Sequence, residues 1–224
     1  MQSQPSRSLS PVKWREINTI TVAYGHGIAV SPLQVVTATA AMVNGGILPT
    51  PTLIKREDDV RRTLGSRVIS RDTSRRMREL MRMIVKEGTG KNADVPGYLM
   101  GGKTGTADKA AGRGYNTRKL ISSFIGVFPI DAPEYAVLAI LDEPKGTKKT
   151  YGYATGGWVA APVVKNVVAQ MASVMGLAPN DREALEAFEK KRQKKPGTTK
   201  PIVTAARDDA RPHGPPGGQR VATN

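Results

Sequence analysis

Apolar positions recur at helical spacing in some stretches of the chain and crowd into short continuous runs in others. Leu33, Val36, Ala40 and Val43 repeat with the period of one helix face. Ser31 and Pro32 precede them as a cap and a first-turn residue, and Gly45-Gly46 follows as a stop, so residues 31–44 are expected to form a buried helix. Behind a second cap at Ser70, Met77, Leu80, Met81, Ile84 and Val85 form an apolar stripe. Arg75, Arg76, Arg78 and Arg82 make its wet face and Gly88 ends it. These methionines, with Met42, read as core filling. Val163, Val164, Val167, Val168, Met171 and Val174 mark another helix, from near Pro162 to Gly176. Asn180 then caps a charged, solvated helix over 181–195 that Pro196 terminates.

Three strands are expected between the second and third helices, over 99–108, 120–130 and 135–141. The last two are apolar on both faces, as strands covered from both sides are, and Asp131-Ala132-Pro133-Glu134 is the hairpin turn between them. The fold class is α+β, an antiparallel meander flanked by helices. The strand over 135–141 is offered no second neighbour.

Composition trims this picture at both ends. Residues 1–13 read as a disordered leader, 14–178 as the folded part, 179–195 as the charged helix, and 196–224 as a disordered basic tail rich in Pro and Gly. The net charge of +15 lies mostly in the body, because residues 181–224 hold ten Lys or Arg against six Asp or Glu. No basic helix face or interleaved aromatic stripe accompanies it, so nucleic acid is not expected as a partner, whereas anionic cell-wall or membrane polymers suit the charge. The chain has no Cys, and His26 and His213 lie far apart, which leaves no thiolate nucleophile, no expected metal site and no expected cofactor. No apolar run approaches a membrane span, and Met1-Gln-Ser-Gln-Pro5 is not a signal peptide.

The candidate chemistry sits on the first strand, at Gly101-Gly-Lys-Thr-Gly-Thr-Ala107. K-T-G is one of three signatures of serine acyl-transferases that react with penicillin, the others being S-x-x-K and S-D-N or S-x-N. Lys103 offers a compact ammonium that polarises a hydroxyl and attracts a carboxylate. Thr104 and Thr106 are two apart and so share a strand face. Gly101, Gly102 and Gly105 omit side chains where another backbone could approach, which suits an extended peptide added along this strand. The plainer alternative is an edge strand, with threonines for β-propensity and a lysine against aggregation.

The companion signatures are missing. No serine has asparagine two residues on, and the one S-x-x-K match, Ser10 to Lys13, falls in the Pro-, Ser- and Arg-rich leader. Ser10 therefore reads as a decoy, because a nucleophile and its lysine must share the face of a helix start.

Several spaced motifs together resemble class B penicillin-binding proteins, in particular the cell-division (septal) peptidoglycan D,D-transpeptidases. They are Trp14, the block from Thr19 through Tyr24-Gly-His-Gly27 to Ser31-Pro-Leu-Gln34, Asn44-Gly-Gly46, Glu87-Gly-Thr-Gly90, and the K-T-G strand. Ser122-Ser-Phe-Ile-Gly-Val-Phe-Pro129, Asp142-Glu-Pro144 and the stretch from Tyr151 to Pro162 continue the likeness, which covers residues 14–177. The resemblance implies the penicillin-binding and serine β-lactamase-like transpeptidase fold, present here from its C-terminal half only. The S-x-x-K helix, the S-x-N loop and two strands of that fold precede the part represented.

It also implies roles. Lys103 would neighbour the nucleophilic serine, with Thr104 and Gly105 completing the catalytic triplet. Thr104 and Thr106 would bind the terminal D-alanine carboxylate or that of a β-lactam, and the Thr106 N–H would serve the oxyanion hole. His26 would be structural, and Asp108 departs from the family's usual Arg or Gln. The implied partners are peptidoglycan stem peptides, β-lactams and divisome proteins. The implied place is the periplasmic side of the inner membrane. A non-catalytic recognition module and a β-lactamase-type hydrolase remain as alternatives to a transpeptidase. Without a placed nucleophile, the purified chain is expected to form no covalent adduct with a fluorescent penicillin. A denaturation-resistant labelled band that vanishes in Ser10→Ala would overturn this.

Overall fold

The computed structural model describes residues 13–23, 25, 27–54, 65–111, 114–184, 186 and 190. The leader with Ser10, the residues Tyr24 and His26, and the tail from 196 onward lie outside the described residues. No helix among the described residues is long and apolar enough to cross a membrane.

A helix missing from the apolar pattern comes first, α1 (Glu16–Ala23). It buries no residue, which is why its periodicity is weak. α2 (Pro32–Val43) starts where the sequence predicts. The Ser31 hydroxyl accepts the Gln34 N–H at 3.3 Å while Gln34 Oε1 accepts the Ser31 N–H at 2.8 Å, a reciprocal cap that satisfies donors the helix cannot. The expected full burial does not follow. Thr39, Ala41 and Val43 are buried, but Leu33 is 56% exposed.

A short ribbon, β1 (Ile47–Pro49) with β2 (Gly65–Arg67), follows and was not legible in so brief a pattern. α3 (Arg71–Lys86) is capped by Ser70, whose hydroxyl accepts the Thr73 N–H at 3.0 Å, and it buries Ser74, Met81 and Val85. Two of its arginines are not simply wet. Arg82 donates to Asp94 Oδ1 at 2.7 Å and to the Met100 carbonyl at 3.0 Å, and it faces Asp181 at 3.6 Å. Arg78 donates to the Asp131 carbonyl at 2.6 Å. Helix spacing placed these side chains opposite the stripe, but loops from elsewhere in the chain return to cover them.

The main sheet is β3 (Gly101–Ala111), β4 (Gly114–Phe128) and β5 (Tyr135–Asp142), antiparallel and in sequence order. The β3–β4 hairpin runs further than expected, past a register shift between Asp108 and Lys109. Opposed residues in an antiparallel pair share a face. Thr104 lies opposite Phe124 and Thr106 opposite Ser122, whereas Lys103 lies opposite Ile125. On the Phe124 face, Phe124, Phe128, Met100 and Val85 pack with Val164 and Val168. These valines come from α5 (Ala161–Val174), which the one-turn helix α4 (Gly156–Val159) precedes. On the Ile125 face, Val43, Met81, Val127 and Ile130 form a smaller cluster under α2 and α3.

Asn180 is not the cap expected of it. Its Oδ1 accepts the Leu99 N–H at 2.9 Å and its Nδ2 donates to Asp131 at 2.8 Å, which ties the chain after α5 to the start of β3. Asp181 caps instead, accepting the Ala184 N–H at 3.0 Å.

Among the described residues β5 pairs with β4 alone, so its outer edge presents unpaired N–H and C=O groups beside Ile140, which is 45% exposed. Such an edge is a template for strand addition. The isolated chain is expected to self-associate despite its charge of +15. Light scattering checks this, and a monodisperse monomer that melts cooperatively would contradict it.

Candidate functional site

Among the described residues β3 is the other open edge of the sheet. Lys103 leaves it toward the α2–α3 side, where it lines a cavity of about 700 Å3 with Thr39, Met42, Leu80, Met83 and Ile125. Its Nζ lies 2.8 Å from its neighbour's carbonyl, that of Thr104, so the ammonium is held back along the strand. Thr104 and Thr106 leave by the opposite face. The candidate site therefore straddles the strand edge: a ligand lying along β3 in the plane of the sheet would meet the ammonium from one side and the hydroxyls from the other.

Each hydroxyl is oriented by a neighbour. Thr104 Oγ1 lies 3.0 Å from Thr89 Oγ1, in the turn that follows α3. Thr106 Oγ1 accepts the Gly156 N–H at 3.0 Å. A hydroxyl whose lone pair is taken by a donor still has its proton to give, so Thr106 can donate outward to an anion. Gly156 reaches this position because it has no side chain. A Cβ there would fall 2.2 Å from the Ser123 carbonyl oxygen and 2.5 Å from that of Gly105. The neighbouring strand also holds the loop, since the buried Ser122 hydroxyl donates to the Ala154 carbonyl. From the other side, Asn92 Nδ2 donates to the Gly157 carbonyl at 2.9 Å.

The glycines of β3 serve differently from the expectation. A Cβ on Gly101 would meet Ile130, one on Gly102 would meet the Phe124 ring, and one on Gly105 would meet Ser123 Oγ. Side chains of this same chain take up the space that the sequence suggested for an approaching backbone. The accessible feature of β3 is its edge.

Asp108 marks the register shift, and the charge beyond it belongs to Lys109. Its Nζ contacts Asp142 at 2.8 Å and Glu143 at 2.9 Å, and Lys119 contacts Glu143 at 3.1 Å. The Asp142 and Glu143 carboxylates hold the Lys109 ammonium above its usual pKa, and Lys109 with Lys119 holds Glu143 below the usual carboxylate value. The Glu143 contribution is thus present above the ordinary carboxylate pKa and is lost as pH falls through the lowered one. Exposed, screened pairs of this kind align the hairpin more than they stabilise it.

Of the sequence-predicted residues, Lys103, Thr104, Gly105 and Thr106 stand together on this edge, while His26 lies outside the described residues. Thr89, Asn92 and Gly156 were not singled out. The first belongs to the Glu87-Gly-Thr-Gly90 motif and the last to the glycine pair before Trp158, and both signals were present without a partner to point to.

With this geometry the chain can be compared with known proteins. The family described as the penicillin-binding protein transpeptidase domain matches residues 2–169, and the chain belongs to it. The probable peptidoglycan D,D-transpeptidase FtsI of Caulobacter vibrioides is 42% identical over an alignment of 183 residues that covers 78% of this chain and 31% of that protein. Stage V sporulation protein D of Bacillus subtilis is 39% identical, over 77% of this chain and 27% of its own length. The chain thus spans about a third or less of these relatives. The transpeptidase domain of penicillin-binding protein 3 from Burkholderia pseudomallei superposes with a TM-score of 0.67 at 38% identity, covering 75% of this chain and 49% of that one. Penicillin-binding protein 3 of Mycobacterium tuberculosis, solved with ampicillin, superposes at 0.64 with 27% identity, over 78% of this chain and 42% of its own. The fold is that of the penicillin-binding transpeptidases, here about half of the domain.

Gly156→Ala is expected to drive the loop off β3, because the clashing atoms are backbone oxygens that cannot rotate away. A loss of about 1–3 kcal/mol of stability, read by thermal melting, fits the cost of overpacking. An unchanged melting curve would show that the loop is not seated on β3.

Proposed function

We propose that this chain supplies the substrate-holding half of a peptidoglycan D,D-transpeptidase, an enzyme that cross-links stem peptides through a serine acyl-enzyme. The observation that carries this is the open edge of β3, flanked by the Lys103 ammonium on one face and by the Thr104 and Thr106 hydroxyls on the other. A peptide ending in D-alanine would add to this edge as a further strand, its carboxylate taken by the threonine hydroxyls and its scissile carbonyl oxygen turned toward the Thr106 N–H. Lys103 would lower the cost of charge on the attacking hydroxyl. That hydroxyl comes from a serine outside these 224 residues, since the chain has no S-x-N and no S-x-x-K other than Ser10 to Lys13. A β-lactam would occupy the same edge, because its carboxylate and strained amide present the same groups.

The septal setting, the periplasmic side of the inner membrane and contact with division proteins belong to the same proposal. They are supported by the likeness to the FtsI of Caulobacter vibrioides.

The test joins this chain to the remaining half of the Burkholderia pseudomallei domain. In that protein Lys103→Ala is expected to slow acylation by penicillin about 10²–10³-fold, the usual cost of losing a preorganised electrostatic group. The melting temperature should hardly move, since surface substitutions stay within about 0.5 kcal/mol. An unchanged rate, or rate and melting temperature falling in step, would reject the assignment.

A further inference from the structure

We propose that Asn44 is a site of covalent self-modification, deamidation at the Asn44–Gly45 bond, and that Ser74 on α3 keeps the site closed for as long as α3 stays docked on the end of α2. This chemistry is independent of the function proposed for β3.

Asn44–Gly45 is the one Asn-Gly pair in the chain. A glycine after asparagine leaves the backbone nitrogen unshielded by a side chain and free to turn toward the carboxamide before it. The reaction is a ring closure. The Gly45 nitrogen forms a bond to Asn44 Cγ, the Cγ–Nδ2 bond breaks, and the proton from Gly45 leaves with Nδ2 as ammonia. Water then opens the cyclic imide at one carbonyl or the other. The product is aspartate, or isoaspartate in which the main chain runs through the side-chain carbonyl. Water is the only co-reactant, and nothing is oxidised or reduced.

The folded chain blocks both partners in that closure. The Gly45 N–H donates to Ser74 Oγ at 2.9 Å, and Ser74 is completely buried. The Asn44 carboxamide is engaged at both ends. Its Oδ1 accepts the Gly46 N–H at 3.2 Å and the Ile47 N–H at 2.9 Å, and its Nδ2 donates to the Ile47 carbonyl at 2.7 Å. Arg67 donates to the Gly45 carbonyl at 2.5 Å. To swing onto the Gly45 nitrogen the carboxamide must give up its three hydrogen bonds, and the nitrogen must give up its own.

Only part of this lock is local. The Asn44 bonds reach no further than three residues, so any chain that makes the turn re-forms them. Ser74 lies 29 residues from Gly45 and arrives only when the β1–β2 ribbon has returned the chain and α3 has packed on α2. The seam between those helices is loosely filled. The cavity beside Lys103 takes Thr39 and Met42 from α2 and Leu80 and Met83 from α3, and the last two are more than half exposed. Elements with few buried contacts open locally at low free energy. Each opening releases the Gly45 nitrogen, and a reacted turn does not close again. Aspartate has no donor for the Ile47 carbonyl and sets a carboxylate oxygen against it. Isoaspartate adds a main-chain carbon just ahead of β1, whose Ile47 must meet Arg67 in register. The turn therefore keeps a permanent record of the time α3 spends undocked.

The full chain is incubated at mildly alkaline pH, in buffer and in concentrated urea. Digests are read by mass spectrometry for the gain of one mass unit at Asn44, and by isoaspartyl methyltransferase for isoaspartate. The chain in buffer should react at least about tenfold more slowly than in urea, and Ser74→Ala should speed the reaction in buffer roughly three- to tenfold, the rate equivalent of one hydrogen bond. Ser74→Cys keeps the volume with a weak acceptor and should also be fast while melting like the parent. Equal parent rates in buffer and urea would overturn the proposal whatever the variants do. So would a Ser74→Cys chain that melts like the parent and reacts no faster. If Ser74→Cys does not fold, the parent decides at urea concentrations below its midpoint: its rate should rise together with hydrogen exchange at the Gly45 N–H, and a rise without that exchange would reject the lock. Asn44→Asp, the product itself, should melt below the parent, and an unchanged curve would show that the reacted turn closes after all.

Discussion

β4 is the strand on which everything else here is hung. Among the described residues it alone is paired along both sides, and Phe124 at its centre is completely buried. Its alternation assigns every neighbour a face. Phe124, Phe128 and Ser122 look toward α4 and α5, whereas Ile125 and Val127 look toward α2 and α3. Because β3 is locked to it in antiparallel register, the same alternation sends Lys103 one way and Thr104 and Thr106 the other. A slip of one residue would exchange them, putting the lysine against the Gly156 loop and the hydroxyls into an apolar cavity. Under the proposed function the register is a functional constraint as well as a packing one, and Phe124, filling the space left by Gly102, helps to fix it.

Much of this was legible in the chain because it depends on local rules. The caps at Ser31 and Ser70, the stripe of α3, the three strands of the meander and the edge character of β5 follow from period and from short-range chemistry. What was not legible is what depends on distant partners. Arg82 looked wet because its place on helix α3 cannot reveal that Asp94, Met100 and Asp181 return to it. Asn180 looked like a cap because nothing in its neighbours announces Leu99 and Asp131. Leu33 looked buried because periodicity reports the side a helix would hide, whether or not anything covers it.

The candidate site divides along the same line. Its four residues on β3 are contiguous, so a motif could find them. Their orientation is set by Thr89 and Gly156, 15 and 50 residues away from the threonines they contact. The glycine reading erred for the same reason: a run of small residues signals close approach, but only the fold tells whether a ligand or the protein's own Phe124 and Ile130 does the approaching.

Among the described residues the sheet has two open edges, and their chemistry differs. The β3 edge is small and polar, with a cation and two oriented hydroxyls, and under the proposed function it would favour a short peptide whose carboxylate answers them. The β5 edge has no such groups. Ile140 and the apolar surface near it reward any strand that brings matching hydrophobic side chains. An extended ligand gains main-chain hydrogen bonds at either edge, so those bonds cannot choose between them. The choice rests on the groups beside the backbone: charge and donors at β3, apolar area at β5. The net charge of +15 sharpens it, because an anionic peptide is drawn in toward the molecule at long range but is retained only where its carboxylates find donors already in place.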